Sequence, residues 1–137
     1  MNDESRLWLQ YAEENRRVAV LCFESGLFNP CLQNAQQAVE KSLKALCLAI
    51  GLPLKKTHSI AELIADLRCA GIRLNFVEDD IDLLDSVYLP SKYPLGSVLP
   101  NFNPDNSLAQ CCLALANSVL SEVQNRLETG MNKPKEQ

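Results

Sequence analysis

The chain has a single histidine, His58, directly after Lys55-Lys56-Thr57 and just ahead of Ser59-Ile60-Ala61-Glu62. An imidazole titrates near neutrality, so it suits proton transfer or phosphate binding. Two neighbouring lysines would help hold an anion, and a following helix would offer backbone N–H groups to it. The structural alternative is a capping or hydrogen-bonded histidine beside two solvated lysines. A second candidate is Lys92-Tyr93, set between Pro90 and Pro94. A cation held beside an aromatic ring can grip a phosphate and stack on a base; the alternative is Tyr93 packed on the protein with Lys92 in water. A third group is Gln37, Glu40, Lys41 and Lys44, which share one side of a helical run. They form either a salt-bridged surface or a polar cleft that meets a ligand or partner. Together, Lys44, His58, Lys92 and Tyr93 would present positive charge and an aromatic face, which fits a phosphate-bearing nucleotide.

Other chemistries are not encoded. No Gly-rich phosphate loop, Asp-x-Asp metal pair or Ser-His-Asp order is present. Asp80-Ile81-Asp82 has acid spacing, but on a helix those side chains diverge. The six cysteines form no Cys-x-x-Cys pair and have one histidine to join them, so zinc lacks its usual ligand spacing. No metal or cofactor is expected. Cys22, Cys47, Cys69 and Cys112 read as small buried side chains of a reducing compartment. The net charge of −4 argues against a general nucleic-acid binder. Its distribution is uneven: four lysines, the histidine and no acid between Lys41 and Ile60, then five acids and no base from Glu78 to Asp85. The acidic run reads as a helix start that opposes the helix dipole, or as a docking patch.

The elements that must position these residues are helices. At 137 residues, 47% hydrophobic and 22% charged, the chain makes one soluble domain with its own core, residues 1–130, and a polar tail, 131–137. No stretch alternates as a strand does. The first helix is expected from about Glu4 to Ser25, stopped by Gly26, with Leu7, Trp8, Tyr11, Val18, Leu21 and Cys22 facing inward. The second starts at a cap-and-proline pair, Asn29-Pro30, and ends at Gly51. Its apolar stripe is Leu32, Ala35, Val39, Leu43, Leu46 and Ile50, with Glu40 and Lys44 one turn apart on the opposite side. Ser59 and Glu62 make a capping box for a third helix that stops at Gly71, and Asn75 with Glu78 an analogous start for a fourth that ends near Val87. A loop with four prolines follows from Leu89 to Asp105, and a fifth helix covers about Asn106 to Glu128, stopped by Gly130. Short connections predict antiparallel sequential neighbours, hence an all-α up-and-down bundle of about five helices.

The run Gln36-Gln37-Ala38-Val39-Glu40-Lys41-Ser42-Leu43-Lys44-Ala45, then Thr57-His58, with Trp8 to Asn15 before them and Tyr88-Leu89-Pro90-Ser91-Lys92-Tyr93-Pro94 after, resembles the HEPN family (higher eukaryote and prokaryote nucleotide-binding domain) over roughly residues 5–129. The resemblance implies the same bundle layout and two-fold pairing. Excess apolar residues on the first two helices, such as Leu9, Val20 and Phe23 beside Trp8, Tyr11 and Leu21, agree with a homodimer. Family members often carry arginine at the Lys92 position, and lysine keeps the charge without the bidentate fork. The family's ribonuclease branch uses an Arg followed four to six residues later by His, late in or after the fourth helix. No histidine follows residue 58 here, so Arg68 and Arg73 have no such partner. Many stand-alone copies resemble the partner of a small nucleotidyltransferase subunit, which implies a non-catalytic nucleotide- or substrate-binding or regulatory role. The alternatives are a ribonuclease toxin whose catalytic pair is replaced, for example by Lys92 and Tyr93, and a purely dimeric interaction module. No run is apolar enough to span a bilayer and the N-terminus is acidic and polar, so a cytoplasmic location is expected.

Overall fold

Five helices make up the fold: α1 (Asp3–Glu24), α2 (Phe28–Ala49), α3 (Ile60–Cys69), α4 (Glu78–Lys92) and α5 (Asn106–Asn132). The computed structural model describes residues 2–92 and 103–132, with side chains for 2–91 and 103–130. The connection between α4 and α5 lies mostly outside the described residues. Among the described residues no helix is long and apolar enough to cross a membrane.

The second helix is the hub, packed against each of the other four. Its stripe of Leu32, Ala35, Val39, Leu43 and Leu46 is buried, and meets Leu63 and Leu67 of α3, Ile81 and Leu84 of α4, and Leu120 and Val123 of α5. Because neighbours surround α2, it has little outer face left. Glu40 and Lys44, expected on the far side from the stripe, are only 4% and 5% exposed.

Several helix boundaries follow the sequence closely. Gly26 (φ 73°) and Gly51 (φ 89°) are left-handed, and the amides that follow them reach back across the last turn, Leu27 N–H to Cys22 O and Leu52 N–H to Cys47 O. Ser59 caps α3 by accepting from the Glu62 amide. Other ends differ. The cap position of α2 is Leu27, with no side-chain bond, and Asn29 instead donates to Ser91 O at 2.7 Å, tying the start of α2 to the end of α4. The residue before α4 is Val77, whose carbonyl accepts from the Ile81 amide, so Asn75 lies two residues too early to cap it, and its own amide donates to the Glu122 carboxylate. The fourth helix continues past Val87 to Lys92 with Pro90 inside it. Pro90 cannot donate to the Ser86 carbonyl and its ring crowds that turn, but it lies only two residues from the helix end and is buried there. The fifth helix likewise runs on through Gly130 to Asn132.

α1 and α2 are antiparallel, with Trp8 near Lys44 and Asn15 near Asn34. α4 is antiparallel to α2, through the Ser91–Asn29 bond. α3 departs from strict alternation. The 51–59 connection climbs back along α2, so that His58 sits at the level of Gln36 and Glu40. α3 then runs down again beside α2, and Cys69 and Cys47 end in one pocket wall.

The inner face of α1 is not the expected one. Its buried residues are Ser5, Ala12 and Ala19, spaced by seven. Small side chains at that spacing let the helix axis approach α2 closely. Leu7, Tyr11, Val18 and Leu21 are turned outward, at 42–63% exposure. The thiols also divide: Cys31, Cys47 and Cys112 are buried and Cys22 half-buried, whereas Cys69, expected inside, is exposed along with Cys111. Burial pushes the Cys31 and Cys47 thiols up to about 11 and the Cys112 thiol up to about 12.

Candidate binding site at the junction of the second, third and fourth helices

Glu40 uses both carboxylate oxygens. Oε2 accepts from Lys44 Nζ at 2.9 Å, one turn along α2. Oε1 lies 3.1 Å from His58 Nδ1, at the end of the 51–59 connection. Above Lys44 is the Trp8 ring of α1, its centroid 5.5 Å from Nζ. Beside His58 is the Tyr88 ring of α4, stacked at 4.8 Å and 16°. Gln36, one turn before Glu40, donates Nε2 to His58 O at 3.1 Å. Its Oε1 is buried without a partner. Four segments therefore converge on one buried carboxylate, and an aromatic ring flanks each of its two partners. The His58 side chain is 59% exposed, so the cluster reaches solvent through the imidazole.

Asp85 of α4 holds the neighbouring helix start. Its carboxylate accepts from Ile60 N at 2.6 Å and Ala61 N at 3.0 Å, and from the Ser59 hydroxyl. The Ser59 amide goes to Thr57 Oγ1 and the Glu62 amide to Ser59 Oγ. An anion held by the first amides of α3, expected from the sequence, therefore has no donors left to take: a protein carboxylate already occupies that position. Lys55 is also engaged, by Asp66 at 3.1 Å, and the pairing holds its ammonium above the usual range.

Of the residues singled out in the sequence, Glu40, Lys44 and His58 meet. Lys41 faces α1, where Nζ donates to Asn15 Oδ1 at 2.8 Å and lies 5.9 Å from the Tyr11 centroid. Gln37, half-buried, takes no part in the cluster. The Lys92 side chain and Tyr93 lie outside the described residues. Ser91, just before them, sits at the start of α2, about 20 Å along that helix from Lys44. The site also includes Trp8, Gln36, Tyr88 and Asp85, which sequence reasoning did not assign to it. Gln36, Trp8 and Tyr88 stood in the family-like segments, but only spatial pairing gives them roles. Asp85 was read as one more acid of the 78–85 run.

The cluster can hold a polar ligand at the His58–Tyr88 rim, where a ring face, an imidazole nitrogen and a buried charge lie together. A model of the HEPN domain matches residues 5–126. Among solved structures, the fold is similar to TT1696 from Thermus thermophilus, with 30% identity, TM-score 0.74, and coverage of 91% of this chain and 99% of that one. It is also similar to ST0689, described as an archaeal HEPN homologue, with 25% identity, TM-score 0.67, and coverage of 90% and 97%. A search of curated proteins finds no match.

Proposed function

The chain belongs to the HEPN family, and from that premise we propose that it is a non-catalytic binding subunit, a two-fold homodimer that holds a nucleotide, or regulates a reaction on one, beside a small nucleotidyltransferase. The observation that carries this reading is the buried Glu40 carboxylate joining Lys44 to His58 under two aromatic rings. Buried ion pairs seldom add more stability than apolar residues of similar size would. A cluster of this kind, reaching water through the exposed His58 ring, fits a site better than a core. A base would lie on the His58–Tyr88 face, and a phosphate would take the imidazole. Lys92 and Tyr93 follow Tyr88 by four and five residues in the sequence and are proposed to complete the grip; Lys44 positions His58 through Glu40, and Gln37 and Lys41 border the site on the α1 side.

ATP titrated into the full chain by NMR is expected to bind weakly, to lose affinity as salt rises, and to shift His58 and Tyr88 signals. His58→Ala and Lys92→Ala should each weaken it. Absence of binding, or equal binding by both variants, overturns the site. A purely dimeric interaction module would then gain, because the outward stripe of Leu7, Tyr11, Val18 and Leu21 supports pairing on its own. Light scattering is expected to give the dimer mass at micromolar concentration. The purified protein should leave RNA intact; cleavage abolished by changing Lys92 or Tyr93 would favour the degenerate ribonuclease instead.

A further inference from the structure

A second pocket, of about 390 Å³, opens between the last turns of α2, the strap through Leu52 and Leu54, and α3. That is within the range of small-molecule sites. Neither Glu40 nor His58 lines it, so it is distinct from the rim described above. Its walls are largely carbon, from Leu52, Leu54 and Leu63, with the exposed Cys69 at the edge.

Two lysines line this pocket, and their ammonium groups are held differently. Lys55 is paired with Asp66, which also lines the pocket, so this wall carries no net charge. Lys44 is 5% exposed and makes one hydrogen bond, to Glu40. A second direction is taken by the Trp8 ring. An ammonium has three N–H donors, so one is left without a partner among the described residues, and a buried donor without an acceptor is costly. An anionic head group would gain little here, because Glu40 already neutralises Lys44 and the Asp66 carboxylate stands in the opposite wall.

We propose that this pocket binds a small, mostly apolar, uncharged molecule with one hydrogen-bond acceptor, a carbonyl or amide oxygen, which accepts from Lys44 while its carbon body lies on Leu52, Leu54 and Leu63. The proposal goes beyond the nucleotide reading and stands without it, because it depends on Lys44 and the strap and not on His58.

Cys69 reports on the pocket, and Cys111, exposed on α5 and absent from its lining, is the internal control. Iodoacetamide labelling of the full chain is followed by mass spectrometry with benzamide, benzoate or toluene present. Benzamide at about 20 mM is expected to slow Cys69 labelling about threefold, as for a Kd near ~10 mM in a fragment this small, and to leave Cys111 unchanged. Benzoate and toluene should protect much less. Lys44→Met should bring benzamide down to the toluene level. Since that change strands Glu40, Leu54→Glu, at a 42% exposed wall position, is the second block and should abolish protection with the helical content intact. No protection of Cys69, equal protection by all three compounds, or undiminished protection in a folded variant overturns the proposal.

Discussion

Glu40, Lys44 and His58 on one side of α2, and Leu7, Tyr11, Val18 and Leu21 on the outside of α1, break the same rule in opposite directions. The first region puts the charges of Glu40 and Lys44 inside and the second puts large apolar side chains in water. The difference lies in what satisfies each. The charges are answered within the chain, oxygen by oxygen, on Lys44 and His58. No other element of the described chain covers the α1 stripe. A polar group taken from water needs a specific partner at hydrogen-bonding distance, whereas apolar surface needs only cover. The carboxylate of the first region is therefore answered within one chain, and the second leaves the apolar surface that the proposed homodimer would cover.

The comparison breaks first at Glu40. Removing one member of a buried pair strands the other charge, so Glu40→Ala is expected to cost about 3–5 kcal/mol in urea unfolding. A cost below about 1 kcal/mol would mean that the pair is wet in solution. The buried thiols should give a pH-dependent loss. Their folded values of about 11, 11 and 12 lie above the 9.0 of a free thiol. The unfolded chain therefore gives up these protons first, and stability should fall as pH rises from about 9 toward 12. Replacing Cys112 by alanine should flatten that slope.

Asp85→Ala removes the carboxylate that caps α3 from α4 and should cost about 1–2 kcal/mol, again read by urea unfolding. Retention of full stability would show that water replaces it. The smallest effect on stability belongs to α1. Leu21→Glu changes a side chain 63% exposed and should move the unfolding free energy of the monomer by no more than about 0.5 kcal/mol. It should nevertheless halve the mass seen by light scattering. A monomeric wild type would remove the contrast between the two regions.

Local signals were legible in the sequence and enclosure was not. Gly26, Gly51 and the Ser59 cap could be read because a chain reversal and a helix start each need a particular residue at a particular place. Gly130 carried the same sign without the need for a turn, and α5 passes through it. The α1 face was misread because the large apolar residues look like the core side, while the close approach to α2 is made by Ser5, Ala12 and Ala19. Glu40 and Lys44 were placed opposite the apolar stripe, whereas each follows a stripe residue, Val39 or Leu43, and so lies only about 100° around the helix from it. That this side is also buried follows from α1 and the 51–59 connection closing over it, which no periodicity reports. His58 was visible as a lone titratable residue, but its joining to Glu40 and Tyr88 depends on the climb of that connection.

The central claim is that the buried cluster exists for binding more than for stability, and the paired replacement Glu40→Leu with Lys44→Met tests it most directly. The unfolding free energy and the ATP-induced NMR shifts of the Tyr88 ring are measured on the same sample. The account predicts stability within about 1 kcal/mol of wild type or above it, since an ion pair exchanged for apolar residues of similar size is often neutral or stabilising, together with loss of the ATP response. A variant that loses several kcal/mol of stability, or that keeps the wild-type ATP response, would contradict it.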